Sequence, residues 1–373
     1  MRTSSIALFN AAATPAMEQA ARQILGTGQI ASGPLVERFQ ERIAQRIGRP
    51  HVVSTDTMTS ALSLALKLAG VKSGDDVLTL AFSCMSSNAP IALAGARAVW
   101  IDIDPQTASA CMDDLRRAIT PRTRALTLYH MAGYPGPADV IADFCHEHGI
   151  VFIEDCNNAL GATLHGTDVG RHGDYAVHSF YPNRQVNALD GGSLACPTSE
   201  AAQRASRLRR FGIDSRTFRD SRGEINPGSD IPEISGSSAL SQLHAAAGLA
   251  HLDDLDARLA KIRANARILD RELAGIPGLT VVAPLKGASP VYWGFLVLLE
   301  KRDRVLSGLK ARGIQASTLH QRNDTYTGFR SMTRPLPGTD DAMRRLLALP
   351  CGWWLDGDDM IAVAAAVREE CEA

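Results

Sequence analysis

The sequence predicts an α/β fold built around a largely parallel, buried sheet. Short apolar runs alternate with helix-length runs from residue 51 to residue 155, the pattern of successive βαβ units. The strand-like runs Ala98-Val99-Trp100-Ile101 and Ile150-Val151-Phe152-Ile153 are almost continuously apolar, as strands covered on both faces must be. With 373 residues, 45% of them hydrophobic, the chain can bury one large core and a smaller one.

The elements follow in order. Pro15 to Leu25 reads as a helix, and Leu35 to Ile47 as a second, with Val36, Phe39, Ile43 and Ile47 at helical spacing on its core face. Strands are expected at 51–54, 77–80, 98–102, 123–129 and 150–155, and helices at 61–69, 88–94, 112–118 and 138–148. A helix at 199–210 precedes 211–237, which is rich in Gly, Asp, Ser and Pro and reads as a long loop. Helix then dominates 240–273 and leads into a small α+β domain. Its strands are expected at 279–282, 291–299 and 314–317, and its helices at 303–312, 340–347 and 358–370. The division is a large α/β domain over 1–250 and a small one over 251–373. Gly352-Trp353-Trp354-Leu355 reads as core or interface packing, since aromatics dominate both.

A formal net charge of -1 gives no field to attract nucleic acid or an anionic membrane. No apolar run nears the roughly 20 residues of a membrane helix. The segment from Met1-Arg2-Thr3 to Ile6–Phe9 faintly resembles a signal peptide, but Asn10 interrupts its short apolar core. Seven cysteines without CxxC pairing point away from a disulfide framework or a metal site, and a reducing cytoplasm is the simplest expectation.

The chemistry-bearing text begins at Asp174-Tyr175-Ala176-Val177-His178-Ser179-Phe180-Tyr181-Pro182-Asn183-Arg184 and continues to Asp190-Gly191-Gly192. Further short blocks are Ser32–Phe39, Pro121–Leu126 with His130, Ile153-Glu154-Asp155-Cys156-Asn157-Asn158-Ala159, Leu208–Asp214, Leu243–Leu249 and His320-Gln321-Arg322-Asn323-Asp324. Taken in order, these resemble the DegT/DnrJ/EryC1/StrS sugar aminotransferases. The resemblance implies fold type I of the pyridoxal phosphate (PLP)-dependent transferases. It also implies a mixed, mostly parallel seven-stranded sheet, a small α+β C-terminal domain and a homodimer acting in nucleotide-sugar or natural-product biosynthesis.

The same resemblance assigns site residues. Asp155 would pair with the pyridine nitrogen of PLP, strengthening the ring as an electron sink. Ser179 and Thr59 would contact the cofactor phosphate, Thr59 from a helix N-terminus. Cys84 falls where an aromatic normally stacks on the ring, and Asn158 where a Gln or His lies beside it. Met58 replaces a phosphate-loop glycine and is expected to crowd that approach. His320, Asn323 and Asp324 fall in a substrate-side segment. The family's Schiff-base lysine falls at Arg184.

Arginine stays protonated and is a poor nucleophile, so it cannot take over that lysine's work. No lysine lies between Lys72 and Lys261 to replace it. The leading expectation is therefore a pocket turned to PLP-independent chemistry on an anionic small molecule, with Arg184, His130 and Asp155 as its working groups and Asn158, His178, His320 and Asn323 as polar neighbours. Three alternatives stand beside it. The chain could be a non-catalytic partner of an active homologue in a heterodimer. It could bind PLP or pyridoxamine phosphate (PMP) without a lysine, as a dehydratase branch of the family does with His. It could be an ordinary aminotransferase. The cofactor is thus open between PLP, PMP and none.

Overall fold

A computed structural model describes residues 5–11, 13–329 and 333–373. Its centre is a seven-stranded sheet. The strands are β1 (Val52–Thr55), β2 (Asp76–Leu80), β3 (Arg97–Ile101), β4 (Thr123–Tyr129), β5 (Val151–Asp155), β6 (Tyr175–Ser179) and β7 (Gly192–Ala195). Their order is β1-β7-β6-β5-β4-β2-β3. Strands β6, β5, β4, β2 and β3 run parallel, while β7 is antiparallel to both β6 and β1. The seven-stranded, mostly parallel sheet expected from the resemblance is present.

Strand periodicity explains the sandwich. Val77, Ala125 and Ile153 enter one apolar layer, and their neighbours Leu78, Leu126 and Phe152 enter the other. Helices cover both faces: α1 (Pro15–Thr27), α2 (Pro34–Ile47), α3 (Met58–Leu68), α4 (Met85–Leu93), α5 (Met112–Ala118), α6 (Ala138–His148), α7 (Ser199–Leu208) and α8 (Gln242–Leu252). Proline opens α1 and α2, where its missing N–H costs nothing. Val36, Phe39, Ile43 and Ile47 are buried on α2 as the spacing predicted, and Phe39 meets Phe180 edge-on at 4.9 Å.

The long helix α9 (Leu255–Leu273) carries the chain to a second sheet of β8 (Leu279–Val281), β9 (Phe295–Leu299) and β10 (Leu346–Leu349), in that order and antiparallel. Helices α10 (Arg302–Ala311), α11 (Pro337–Arg345) and α12 (Gly357–Glu372) complete it. Residues 6–9 of the N-terminus also dock here: Ile6 bridges Ile314, Trp354 Nε1 donates to the Ala7 carbonyl at 3.2 Å, and Phe9 stacks on Trp293 with centroids 4.0 Å apart.

Two expectations need correction. Leu346 and Leu347 are not the end of a helix; α11 stops at Arg345, and Leu346–Leu349 pairs with β9 as a strand. The expected strand at 314–317 is reduced to isolated bridges, Ile6 with Ile314 and Ser317 with Ala348. Over 211–237 the chain forms no helix or extended strand, as expected of a long loop. All seven cysteines are free, and among the described residues no helix is long and apolar enough to cross a membrane.

Candidate functional site

The parallel strands β2, β4, β5 and β6 end at one edge of the sheet, and the candidate groups gather there. Open α/β sheets bind ligands at this carboxyl edge because the strand ends leave a crevice between loops. Asp155 closes β5, Tyr129 closes β4 and Ser179 closes β6. Cys84 precedes α4, just past β2, and its sulfur accepts a hydrogen bond from the Ser86 hydroxyl at 3.1 Å.

Asp155 is buried at 1% exposure. One oxygen, Oδ1, accepts from the Asn157 amide at 3.1 Å and from Asn157 Nδ2 at 3.0 Å. The other, Oδ2, is buried with no hydrogen-bond partner. Burial raises its pKa, against the lowering effect of Ser87 and Asn157 beside it. An orphaned carboxylate oxygen at a strand end fits the protonated nitrogen of a pyridine ring. Asp155→Asn removes a desolvated charge from the ligand-free protein and is expected to raise its stability by roughly 1 kcal/mol. Thermal unfolding checks this; a lower melting temperature contradicts it.

The N-terminus of α3 lies against β7. Thr57 caps it by accepting from the Ser60 amide, and the first-turn amides of Met58 and Thr59 have no acceptor inside the helix. Gly192 makes the close contact possible, because a Cβ there would stand 2.6 Å from the Thr57 carbonyl oxygen. Such a helix end favours a phosphate. Met58, expected to crowd this approach, is 5% exposed and belongs to the same buried apolar cluster as Ala61, Leu62 and Val77. Ser179 is buried, and its hydroxyl accepts a long hydrogen bond of 3.4 Å from the Tyr181 amide.

Arg184 sits in the 180–191 loop between β6 and β7. The loop is anchored along its length. Gln185 Nε2 donates to the Asn158 carbonyl at 2.7 Å, Arg258 donates to the Gln185 carbonyl at 3.3 Å, and the Asn187 amide donates to His251 Nδ1 at 3.1 Å. The half-buried guanidinium lies over the Trp293 ring, 5.0 Å from its centroid, and donates to the Asn183 side-chain oxygen. Trp293 is itself fixed by its indole N–H to the Asn183 carbonyl at 2.8 Å. Arg184 Nε has no partner, and among the described residues no carboxylate lies within ion-pair distance of the guanidinium. Burial lowers its pKa, opposed by the fields of Tyr129, Cys84 and Asp155. None of the six lysines is buried: five are exposed, and the half-buried Lys67 donates to the Ile234 carbonyl at 3.0 Å and pairs with Glu233 at 3.5 Å.

Asn158 is buried and donates through Nδ2 to the Tyr129 hydroxyl at 2.7 Å. That hydroxyl also accepts from the Ala132 amide at 3.2 Å and lies 3.2 Å from His320 Nε2. Burial, and then the Arg184 charge, lowers the His320 pKa to about 4.

Four expected residues stand elsewhere. His130 is fully buried, with Nδ1 accepting from the Gly136 amide at 3.0 Å and Nε2 bonded to Glu154 at 3.1 Å, so neither nitrogen is free for a substrate. His178 belongs with that buried group: a Cβ on Gly170 would lie 3.3 Å from its Cε1 and 3.4 Å from the Cys156 sulfur. Asn323 is structural. It donates to the Ser83 carbonyl at 2.9 Å and the Gln321 carbonyl at 3.0 Å, and accepts from Asn88 at 3.2 Å. Asp324 spends both oxygens on Arg322, at 3.0 and 2.6 Å. Tyr129 and Trp293 are the residues that sequence reasoning missed. Tyr129 left one signal, an aromatic at the carboxyl end of a predicted strand beside a polar motif.

This fold and site define a class: an α/β protein built as the PLP-dependent sugar aminotransferases are. The model of the DegT/DnrJ/EryC1/StrS aminotransferase family matches residues 12–368, and the chain belongs to that family. It is 32% identical to a dTDP-4-dehydro-2,3,6-trideoxy-D-glucose 4-aminotransferase of Saccharopolyspora spinosa, over 94% of this chain and 92% of that one. It is 30% identical to a dTDP-3-amino-3,4,6-trideoxy-alpha-D-glucose transaminase of Streptomyces venezuelae, over 95% and 92%. The crystal structure of AtS13 from Actinomadura melliaura superposes with a TM-score of 0.92 at 34% identity, over 99% of this chain and 100% of that one.

Proposed function

We propose that this chain binds a nucleotide-linked sugar, or a close relative of one, in the family cleft and acts on it without a Schiff-base lysine. The dTDP-sugar names of its relatives supply the substrate class. One observation carries the rest: the half-buried Arg184 guanidinium, its Nε buried without a partner, feels the charges of Tyr129, Cys84 and Asp155 but has, among the described residues, no carboxylate within ion-pair distance. A partly desolvated cation with no partner at ion-pair distance gains from an anionic ligand. Its planar fork matches a carboxylate or phosphate bidentately. In this reading Arg184 holds a substrate anion, and its charge stabilises negative charge that develops nearby.

Calorimetry with dTDP-glucose and dTDP-glucuronate tests the anion. The glucuronate is expected to bind about tenfold tighter or better, as a charge-assisted pair requires. Equal affinities contradict the reading.

A second reading is favoured by the bare Oδ2 of Asp155. The residues present fit a pyridoxal-type ring and its phosphate held non-covalently, with Asp155 at the ring nitrogen and the α3 N-terminus and Ser179 at the phosphate. They do not fit its covalent attachment, since Arg184 is no nucleophile and no lysine is buried. Bound there, the group would supply an electron sink. The chain's own residues would orient it through Asp155 and fix its charge through Arg184.

The assembly we infer is a homodimer in a reducing cytoplasm. Exposed apolar side chains at Leu25, Ile30, Phe211, Ile225 and Ile234 offer surface for such an interface.

A further inference from the structure

The apolar run Ile6-Ala7-Leu8-Phe9 packs onto the small domain. The Ile6 amide donates to the Gly313 carbonyl at 3.0 Å, and the Ile6 carbonyl accepts from the Gln315 amide at 2.9 Å. The Leu8 amide donates to Gln315 Oε1 at 3.3 Å, and the Leu8 side chain is buried. With the Trp354 indole on the Ala7 carbonyl, three consecutive residues are tied down. Their anchoring fixes where Phe9 lies, and its ring stacks on the Trp293 indole with only 22° between the planes. Stacked aromatic pairs gain more than the area they bury and hold the two rings in a preferred relation.

Trp293 meets Arg184 by two routes. The guanidinium lies over the indole ring, and Asn183 bonds to both residues: its carbonyl accepts from the indole N–H and its side-chain oxygen from Arg184. The Trp293 backbone is pinned as well. Its amide donates to the Ala132 carbonyl at 2.9 Å, and the Val291 amide donates to the Gly133 carbonyl at 3.1 Å. A Cβ on Gly133 would stand 2.9 Å from Val291 Cγ2 and 3.2 Å from the Trp293 nitrogen, so a bare backbone lets these segments lie together. An aromatic face attracts a guanidinium electrostatically. A long arginine side chain otherwise has many rotamers, and ordering it on binding weakens affinity.

We propose that Phe9 and Trp293 are positioning residues of the Arg184 anion site: the N-terminal segment steadies the indole, and the indole holds the guanidinium in place for an anionic group of the ligand. The inference rests on reading Arg184 as the holder of a substrate anion. It makes residues 6–9, which precede every motif block of the sequence, determinants of which sugar nucleotide binds.

The experiment follows 19F NMR of the full chain labelled with 5-fluorotryptophan, beside calorimetry. Trp293→Phe assigns one of the four signals. Phe9→Leu keeps an apolar side chain on the segment but removes the stacked ring. In the free protein, Phe9→Leu and Arg184→Met are each expected to shift the Trp293 signal, and saturating dTDP-glucuronate to shift it in wild type. Phe9→Leu is expected to cut the glucuronate preference from about tenfold to about threefold or less, through the glucuronate affinity alone, and Phe9→Tyr to restore it. A tenfold preference that survives Phe9→Leu overturns the proposal and leaves the Arg184 reading standing. Equal weakening of both sugars also overturns it, since a merely structural role predicts that result, as does a Trp293 signal unmoved by Phe9→Leu. Wild type that binds the two sugars equally, or binds neither, removes the Arg184 reading and the proposal with it.

Discussion

Glu154→Ala is expected to cost about 3–5 kcal/mol of stability, the largest loss of any single polar substitution near the site. Glu154 is fully buried on β5, one residue before Asp155. Its oxygens accept from the His172 and Gly173 amides at 2.7 Å each, from Gly170 at 2.8 Å and from His130 at 3.1 Å. Alanine would leave these donors buried and unmet. Burial alone would raise the Glu154 pKa, but the His130 bond and the amides outweigh it and hold it at about 2. The folded value lies below the unfolded one. The stabilisation is therefore complete above the unfolded carboxyl range near pH 4.5 and is lost as pH falls through 2. A lowering of that size corresponds to roughly 3 kcal/mol. Denaturant unfolding at pH 7, 5 and 3 checks this. Wild type should lose stability toward pH 3 more steeply than Glu154→Gln; parallel slopes contradict the assignment.

Arg184→Met is expected to separate binding from folding. Among the described residues the guanidinium has no ion-pair partner to abandon, so an apolar side chain of similar length leaves no orphaned carboxylate there. The fold should be as stable as wild type or more so. Trp293 keeps its hydrogen bond to the Asn183 carbonyl, and Gln185 keeps the loop on Asn158. The anion preference should vanish: dTDP-glucuronate loses about tenfold in affinity, the whole of its advantage, while dTDP-glucose changes little. Calorimetry and thermal unfolding of one preparation give both numbers. A collapse of stability with unchanged glucuronate affinity would make Arg184 a structural residue.

The sheet was legible from its apolar runs because burial on both faces favours apolar residues through the middle of β2 to β5. Strands β6 and β7 were harder. Tyr175–Ser179 contains His178 and Ser179, and Gly192–Ala195 opens on glycine, so neither has the expected apolar character. Leu346–Leu349 shows the opposite limit: a short apolar run suits helix or strand alike, and only its pairing with β9 decides. At the site, motif order located Asp155, Asn158, Arg184 and His320 at the sheet edge. It could not reveal that His130, Asn323 and Asp324 spend their polar atoms on Glu154, Ser83 and Arg322. Nor could it find Trp293 beneath Arg184, because that contact joins segments more than 100 residues apart.

The central claim is that Arg184 leaves this family member unable to form a Schiff base with PLP. Absorbance of the purified chain titrated with PLP, followed by borohydride reduction and intact mass, tests it directly. A lysine Schiff base absorbs near roughly 420 nm and becomes a permanent adduct on reduction. Wild type should show neither the band nor the added mass, and Arg184→Lys should gain both if, as proposed, Asp155 meets the ring nitrogen and the α3 N-terminus the phosphate. A borohydride-fixed PLP adduct on a lysine of wild type would contradict the account.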